Sequence, residues 1–186
     1  ACPVFVDQRG KIVDMRRYRA MEQATLPAHL QTVLRSLESR RHPFAGAQMT
    51  RVAWTEGLGI AEASSGADAS TLLWVGCAGA LVERNHSAVR ATARLLQRAG
   101  VGFAILGREE TCTGDPARWL GQQFLFEQLA RDNIATFGRY GVKRIITACP
   151  HCFNTLRHDY PRLGGVCEVV HHSEVLTDLV EQGRLP

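Results

Sequence analysis

The chain has 186 residues, 45% of them apolar and 22% charged, with a net charge of +4. That composition supports one ordinary domain with a hydrophobic core plus an additional segment, and it excludes a disordered or fibrous chain. No apolar run reaches the about 18 residues of a membrane-spanning helix, no secretory signal is visible, and no long basic stripe with interleaved aromatics argues for nucleic-acid binding. The basic residues are nearly all arginine, with Lys11 and Lys143 the only lysines. Arg16, Arg17 and Arg19 cluster, as do Arg40 and Arg41, which gives a solvated face or a docking patch for an acidic partner.

Residues 1–20 read as irregular, with a Gln-Arg-Gly turn at 8–10. From Pro27 to about Arg40 the spacing of Leu30, Val33, Leu34 and Leu37 predicts a helix. Residues 42–70, rich in Gly, Ala and Ser, predict a long connection draped over the next domain. The apolar run 71–75 predicts a buried parallel strand. A helix is expected from about Asn85 to Ala99, with Val89, Ala93, Leu95 and Leu96 on its buried side and Gly100 ending it. Residues 101–106 predict a second strand. Pro116 opens a helix reaching about Phe137, punctuated by Gly138 and Gly141. A third strand is expected over 142–147, a short helix over 150–158, a fourth strand over 167–170, and a last helix over 173–181 capped by Ser173. This alternation predicts an α/β fold: a Rossmann-like parallel sheet flanked by helices, preceded by a mostly irregular and helical N-terminal segment.

The six cysteines are Cys2, Cys77, Cys112, Cys149, Cys152 and Cys167. Without a secretory signal, such a set points to metal or redox chemistry rather than to disulfides. Cys77, Cys112 and Cys149 each follow a predicted strand, and Cys152 lies one turn further along. In a parallel α/β sheet those loops share the carboxyl edge, where such folds bind ligands. Four thiolates complete a tetrahedral zinc site or an iron–sulfur cluster, and helix N-termini can stabilise their negative charge. Gly76, Gly79 and Gly114 let the backbone approach closely. Cys167, alternating with Val169, reads as core. Asp115 reads as a helix cap, His151 as solvent-facing, His171 and His172 as satisfied histidines near the same edge, and Trp74 and Phe153 as shields against water.

The segments Trp74-Val-Gly-Cys-Ala-Gly79, Glu110-Thr-Cys-Thr-Gly-Asp-Pro-Ala-Arg118 and Ala148-Cys-Pro-His-Cys-Phe-Asn-Thr155 resemble the cysteine-rich CCG domain of heterodisulfide reductase subunits, glycolate oxidase iron–sulfur subunits and lactate-utilisation proteins. The near-equal gaps from Cys77 to Cys112 and from Cys112 to Cys149 agree with it. The strings around Cys112 and Val169-Val-His-His172 narrow the resemblance to heterodisulfide-reductase-related oxidoreductases that serve electron-transferring flavoprotein and a quinone pool. It implies that Cys77, Cys112, Cys149 and Cys152 bind a cluster, [4Fe-4S] rather than the noncubane type, because Thr113 stands where the family motif has a second adjacent cysteine. Ala1-Cys2-Pro3 resembles the tail of a ferredoxin-type motif, so residues 1–70 are expected to be a linker following that truncated motif and 71–186 the cysteine-rich domain. Both ends look cut, as in a piece of a longer protein whose remaining parts reach a quinone or a membrane subunit. The expected location is the cytoplasm or the cytoplasmic membrane face. The expected role is an iron–sulfur oxidoreductase component that relays electrons from a flavoprotein to a quinone, with no acid–base residue. A structural zinc module, or a thiol–disulfide protein using Cys149 and Cys152, are the alternatives.

Overall fold

The computed structural model describes residues 3–44 and 48–186, so Cys2 lies outside the described residues. Three parallel strands, β1 (Thr71–Trp74), β2 (Arg144–Thr147) and β3 (Glu168–His171), lie side by side in that order. Leu72 faces Ile145, which faces Val169, and Trp74 faces Thr147, which faces His171. Alternate residues feed two cores. Leu72, Trp74, Ile145 and Val169 join one, and Leu73, Val75 and Ile146 join the other. Burial on both faces is why β1 reads as an unbroken apolar run rather than as an alternating one.

Helix α1 (Gln8–Arg17) and its continuation through a π-turn (Tyr18–Glu22) occupy the stretch expected to be irregular. Asp7 accepts a hydrogen bond from Gly10 N at 3.0 Å, so Gln8-Arg9-Gly10 is the first turn of a helix. Val13 alone is buried on α1, which is why no apolar period announced it. Helix α2 (Ala28–Arg40) matches its expected range and puts Leu34 and Leu37 into the first core. The connection beyond α2 does more than drape, because the 3₁₀ helix Gln48–Thr55 buries Arg51 and Trp54.

After β1 come α3 (Gly76–Leu81), which the sequence did not announce, and α4 (His86–Arg98). Leu95, expected to be buried, is 37% exposed. The expected second strand is reduced to isolated bridges, Leu72 with Ala104 and Glu62 with Ile105. Ala104 exchanges bonds with β1, but the next residue turns to pair with the backbone of Ala61 and Ala63, and Gly107 at φ 58° ends the extended run. The single helix expected from Pro116 is two, α5 (Asp115–Trp119) and α6 (Gln123–Tyr140). They break at Gly121, φ 88°, where a Cβ would lie 2.5 Å from the Arg16 carbonyl. Gly141 in the left-handed region ends α6, and Gly138 lies within it. Helix α7 (Pro150–Asn154) runs on through a π-turn to Asp159 and a 3₁₀ turn to Leu163. Helix α8 (His172–Glu181) starts one residue earlier than expected, so Ser173 lies inside its first turn instead of capping it. Helices α4 and α8 cover one sheet face, and α2 and α6 the other. Among the described residues no helix is long and apolar enough to cross a membrane.

Candidate metal centre

Cys77 is the second residue of α3 just beyond β1, Cys112 sits in the loop before α5, Cys149 is the N-cap of α7 beyond β2, and Cys152 lies in its first turn. All four line one cavity of about 420 Å³ at the carboxyl edge of the sheet. Its walls are mostly apolar and include Pro43, Phe44, Trp119 and Leu120. Trp74 and Phe153, expected as shields, do not line it. Trp74 packs edge-on against Phe137 at 5.6 Å, and Phe153 meets the His171 ring at 5.7 Å. Among the described residues no three Cys, His, Asp or Glu side chains group so as to hold a single metal ion.

Gly76 shows how tightly the loops meet. It sits at φ 75°, and a Cβ there would stand 3.1 Å from Cys152 Sγ and 3.5 Å from Cys149 Cβ. The cysteines form two pairs. Cys152 hydrogen-bonds to Cys149, whose sulfur also accepts from the Cys152 amide at 3.4 Å. These donors outweigh burial and hold the Cys149 thiol down to about 6, while the same contact and burial push Cys152 well above the ordinary thiol range. In the other pair the hydrogen bond from Cys112, then the charge of Arg51, lowers Cys77, and Cys112 is raised. In each pair the first proton therefore leaves one sulfur, Cys77 or Cys149.

Buried polar groups fix the loops. Asn133 on α6 donates to the Cys112 carbonyl and to Tyr160 Oη, both at 3.0 Å, and Tyr160 Oη donates to the Thr113 carbonyl at 3.1 Å. Asp115 does not cap α5, whose N-cap position is Gly114. Its Oδ1 instead accepts from Trp119 Nε1 at 2.8 Å and Thr155 Oγ1 at 3.0 Å, tying the Cys112 loop to the chain beyond α7. His151 Nδ1 lies 3.2 Å from Asp115 Oδ2 with a side chain 76% exposed, as its solvent-facing assignment required. His171 pairs with Ser173 and, like His172, does not line the cavity. Cys167, half-buried, donates to the Val142 carbonyl at 3.5 Å at the opposite end of the sheet. Four of the five clustered arginines are engaged within the chain: Arg16 with the Trp119 carbonyl, Arg17 with Asp14, Arg40 with Ser36, and Arg41 with Asp132.

Two residues at the site have no role assigned by the sequence. Arg51, 2% exposed, directs Nη1 and Nη2 at Cys77 Sγ, each at 3.6 Å, and Nη2 donates to Glu110 Oε1 at 2.8 Å. Glu110, equally buried, also accepts from Gly76 N at 2.8 Å and Val75 N at 3.0 Å. Only the position of Glu110, two residues before Cys112, offers a hint; Arg51 lies in the stretch expected to be a connection.

Residues 71–157 match the family described as CCG, cysteine-rich domain. The chain is 38% identical over 189 residues to "EtfAB:quinone oxidoreductase" of Syntrophomonas wolfei, covering 99% of this chain and 26% of that protein. It is 37% identical over 191 residues to "Probable iron-sulfur-binding oxidoreductase FadF" of Bacillus subtilis, covering 99% of this chain and 27% of that protein. It is 40% identical over 101 residues to a subunit of the dihydromethanophenazine:CoB–CoM heterodisulfide reductase of Methanosarcina mazei, covering 51% of this chain and 25% of that protein. The chain thus spans about a quarter of the length of these curated relatives. No solved structure matches it.

Proposed function

Because residues 71–157 belong to the CCG family of cysteine-rich domains, we propose that Cys77, Cys112, Cys149 and Cys152 hold one iron–sulfur cluster through which this domain passes electrons. The observation that carries the reading is that sulfurs from three separate loops, two of them directly beyond β1 and β2, line one largely apolar cavity. The donor set fits, since four cysteine thiolates are the usual ligands of such clusters. The cradle fits too, because Gly76 is the residue whose missing Cβ keeps the Cys77 loop against Cys149 and Cys152. We assign the [4Fe-4S] type on the four thiols and on Thr113 beside Cys112.

When bound, the cluster supplies a site that takes up and releases one electron. The protein's part is to hold, bias and shield it. Cys77 and Cys149 give up their protons first. The amide of Cys152 points at Cys149 Sγ and favours negative charge there. Pro43, Phe44, Trp119 and Leu120 keep water from the cavity walls. The name of the Syntrophomonas relative supports electron-transferring flavoprotein as donor and a quinone as acceptor. We place the quinone beyond other parts of a longer protein at the cytoplasmic face of a membrane. Residues 71–186 would carry the four cluster ligands, and 1–70 would be the segment that leads into them and packs against them.

The test is anaerobic reconstitution followed by iron and sulfide analysis. Expected is a brown protein with about four irons per chain, whose colour and iron are lost in Cys149→Ser. One zinc with no visible absorbance would support a structural clamp instead. Thiol exchange that survives loss of Cys77 and Cys112 would support a disulfide function. Colourless protein without iron ends the proposal.

A further inference from the structure

We propose that Arg51 and Glu110 are a positioning pair for Cys77 that raises the reduction potential of the cluster and slows its loss of iron, an inference that rests on the cluster reading of the site. Two charges this deeply buried need a reason. A buried ion pair is weak evidence for stability, since apolar residues of similar volume often serve folding as well or better. Here the pair is aimed. Arg51 presents two N–H groups to one sulfur, each at 3.6 Å. The guanidinium fork suits such a double contact, and an ammonium would not reproduce it.

Glu110 holds the fork in place by accepting from Arg51 Nη2 at 2.8 Å. Its carboxylate also accepts from the amides of Val75 and Gly76, the two residues leading into Cys77. One carboxylate therefore fixes the loop that bears Cys77 and the cation that faces its sulfur. Glu110 itself precedes Cys112, so the pair binds three parts of the chain together: the 3₁₀ helix Gln48–Thr55, the Cys77 turn and the Cys112 loop. The cavity behind the pair is only about 10 Å³, room for a single water at most, so solvent screens the guanidinium little. Donors and positive charge beside a ligand sulfur stabilise the more negative, reduced form of a cluster, which raises its potential.

The experiment compares reconstituted wild type with Arg51→Gln/Glu110→Gln and with Arg51→Lys, after circular dichroism and thermal melting confirm that each is folded. The double variant leaves no lone buried charge and keeps a side-chain oxygen for the Gly76 amide. Expected for the double variant are wild-type iron content, a more negative midpoint potential in a redox titration followed by EPR, and iron loss to a chelator about 10- to 100-fold faster. Arg51→Lys, which keeps the charge and loses the fork, should fall between. A double variant with wild-type potential overturns the proposal, whether or not its iron is looser. So does a folded double variant that takes up no iron, since the pair is then a structural clamp only. If the double variant does not fold, the potential of Arg51→Lys decides in the same way. Wild type that takes up no iron ends the cluster reading itself, a result distinct from all of these.

Discussion

At Cys149 the hydrogen bonds it receives decide which of two neighbouring thiols ionises. The main donor is Cys152, and together with the backbone amides of His151 and Cys152 it brings Cys149 to about 6 from an ordinary thiol value of 9.0. Because the shift is downward, the thiolate exists above about pH 6 and is lost below it. In metal-free protein, alkylation near neutral pH should label Cys149 before Cys152, with a half-maximal rate near pH 6. Removing the donor in Cys152→Ala should move that profile upward, toward the ordinary thiol range. Mass-spectrometric mapping of the labelled peptide checks both, and equal labelling of the two thiols would contradict the pairing. Gly76 sets the other residue-scale constraint. Gly76→Ala meets both a positive φ and a Cβ 3.1 Å from Cys152 Sγ, a combination expected to cost about 1–3 kcal/mol. The variant should melt lower and take up less iron than wild type, as read by calorimetry and iron analysis. The cysteines were legible in the sequence because their chemistry is written in the residue type and their positions follow apolar runs. Arg51 was not, because nothing local distinguishes a buried arginine from the exposed ones. Its burial depends on a loop that brings it to Cys77 and Glu110 from far along the chain.

The elements marked by a helical apolar period or by a short apolar stretch are legible in the sequence: α2, α4, β1, β2 and β3 fall within a residue or two of their expected ranges. Those held by other means are not. Helix α1 buries Val13 alone and is fastened by its Asp7 cap and by Arg16 and Arg17, which bond to the Trp119 carbonyl and Gln123. The break between α5 and α6 exists because the backbone of α1 crosses there, a tertiary contact that no local pattern encodes. This gives the element scale its own prediction. In Gly121→Ala the new Cβ would meet the Arg16 carbonyl at 2.5 Å and Arg17 N at 2.6 Å, backbone atoms that cannot swing aside as a side chain can. Helix α1 should detach, and limited proteolysis should cut within residues 8–22 faster than in wild type. An unchanged cleavage pattern would mean that α1 is not seated on α5.

Across the whole molecule, the family match at 71–157 does not coincide with the body that packs together. Leu34 and Leu37 from α2 and Ala63 sit in the same core as β1 and β2, and Trp54 sits in the core on the other sheet face. The cavity walls likewise take Pro43 and Phe44 from before the first strand. Burying a leucine or larger side chain contributes about 1.5–3 kcal/mol. Losing Leu34, Leu37 and Trp54 together therefore removes several kcal/mol, a large share of the about 5–15 kcal/mol that holds an ordinary domain folded. Their removal also uncovers apolar faces on both sides of the sheet, and it leaves Glu110 buried beside the Cys77 turn without Arg51. A chain cut to residues 71–186 should consequently be poorly soluble or molten. It should keep helical far-ultraviolet dichroism and lose a cooperative thermal transition. A sharp melt at the temperature of the full 186-residue chain would show instead that the N-terminal segment adds contacts without contributing to the fold.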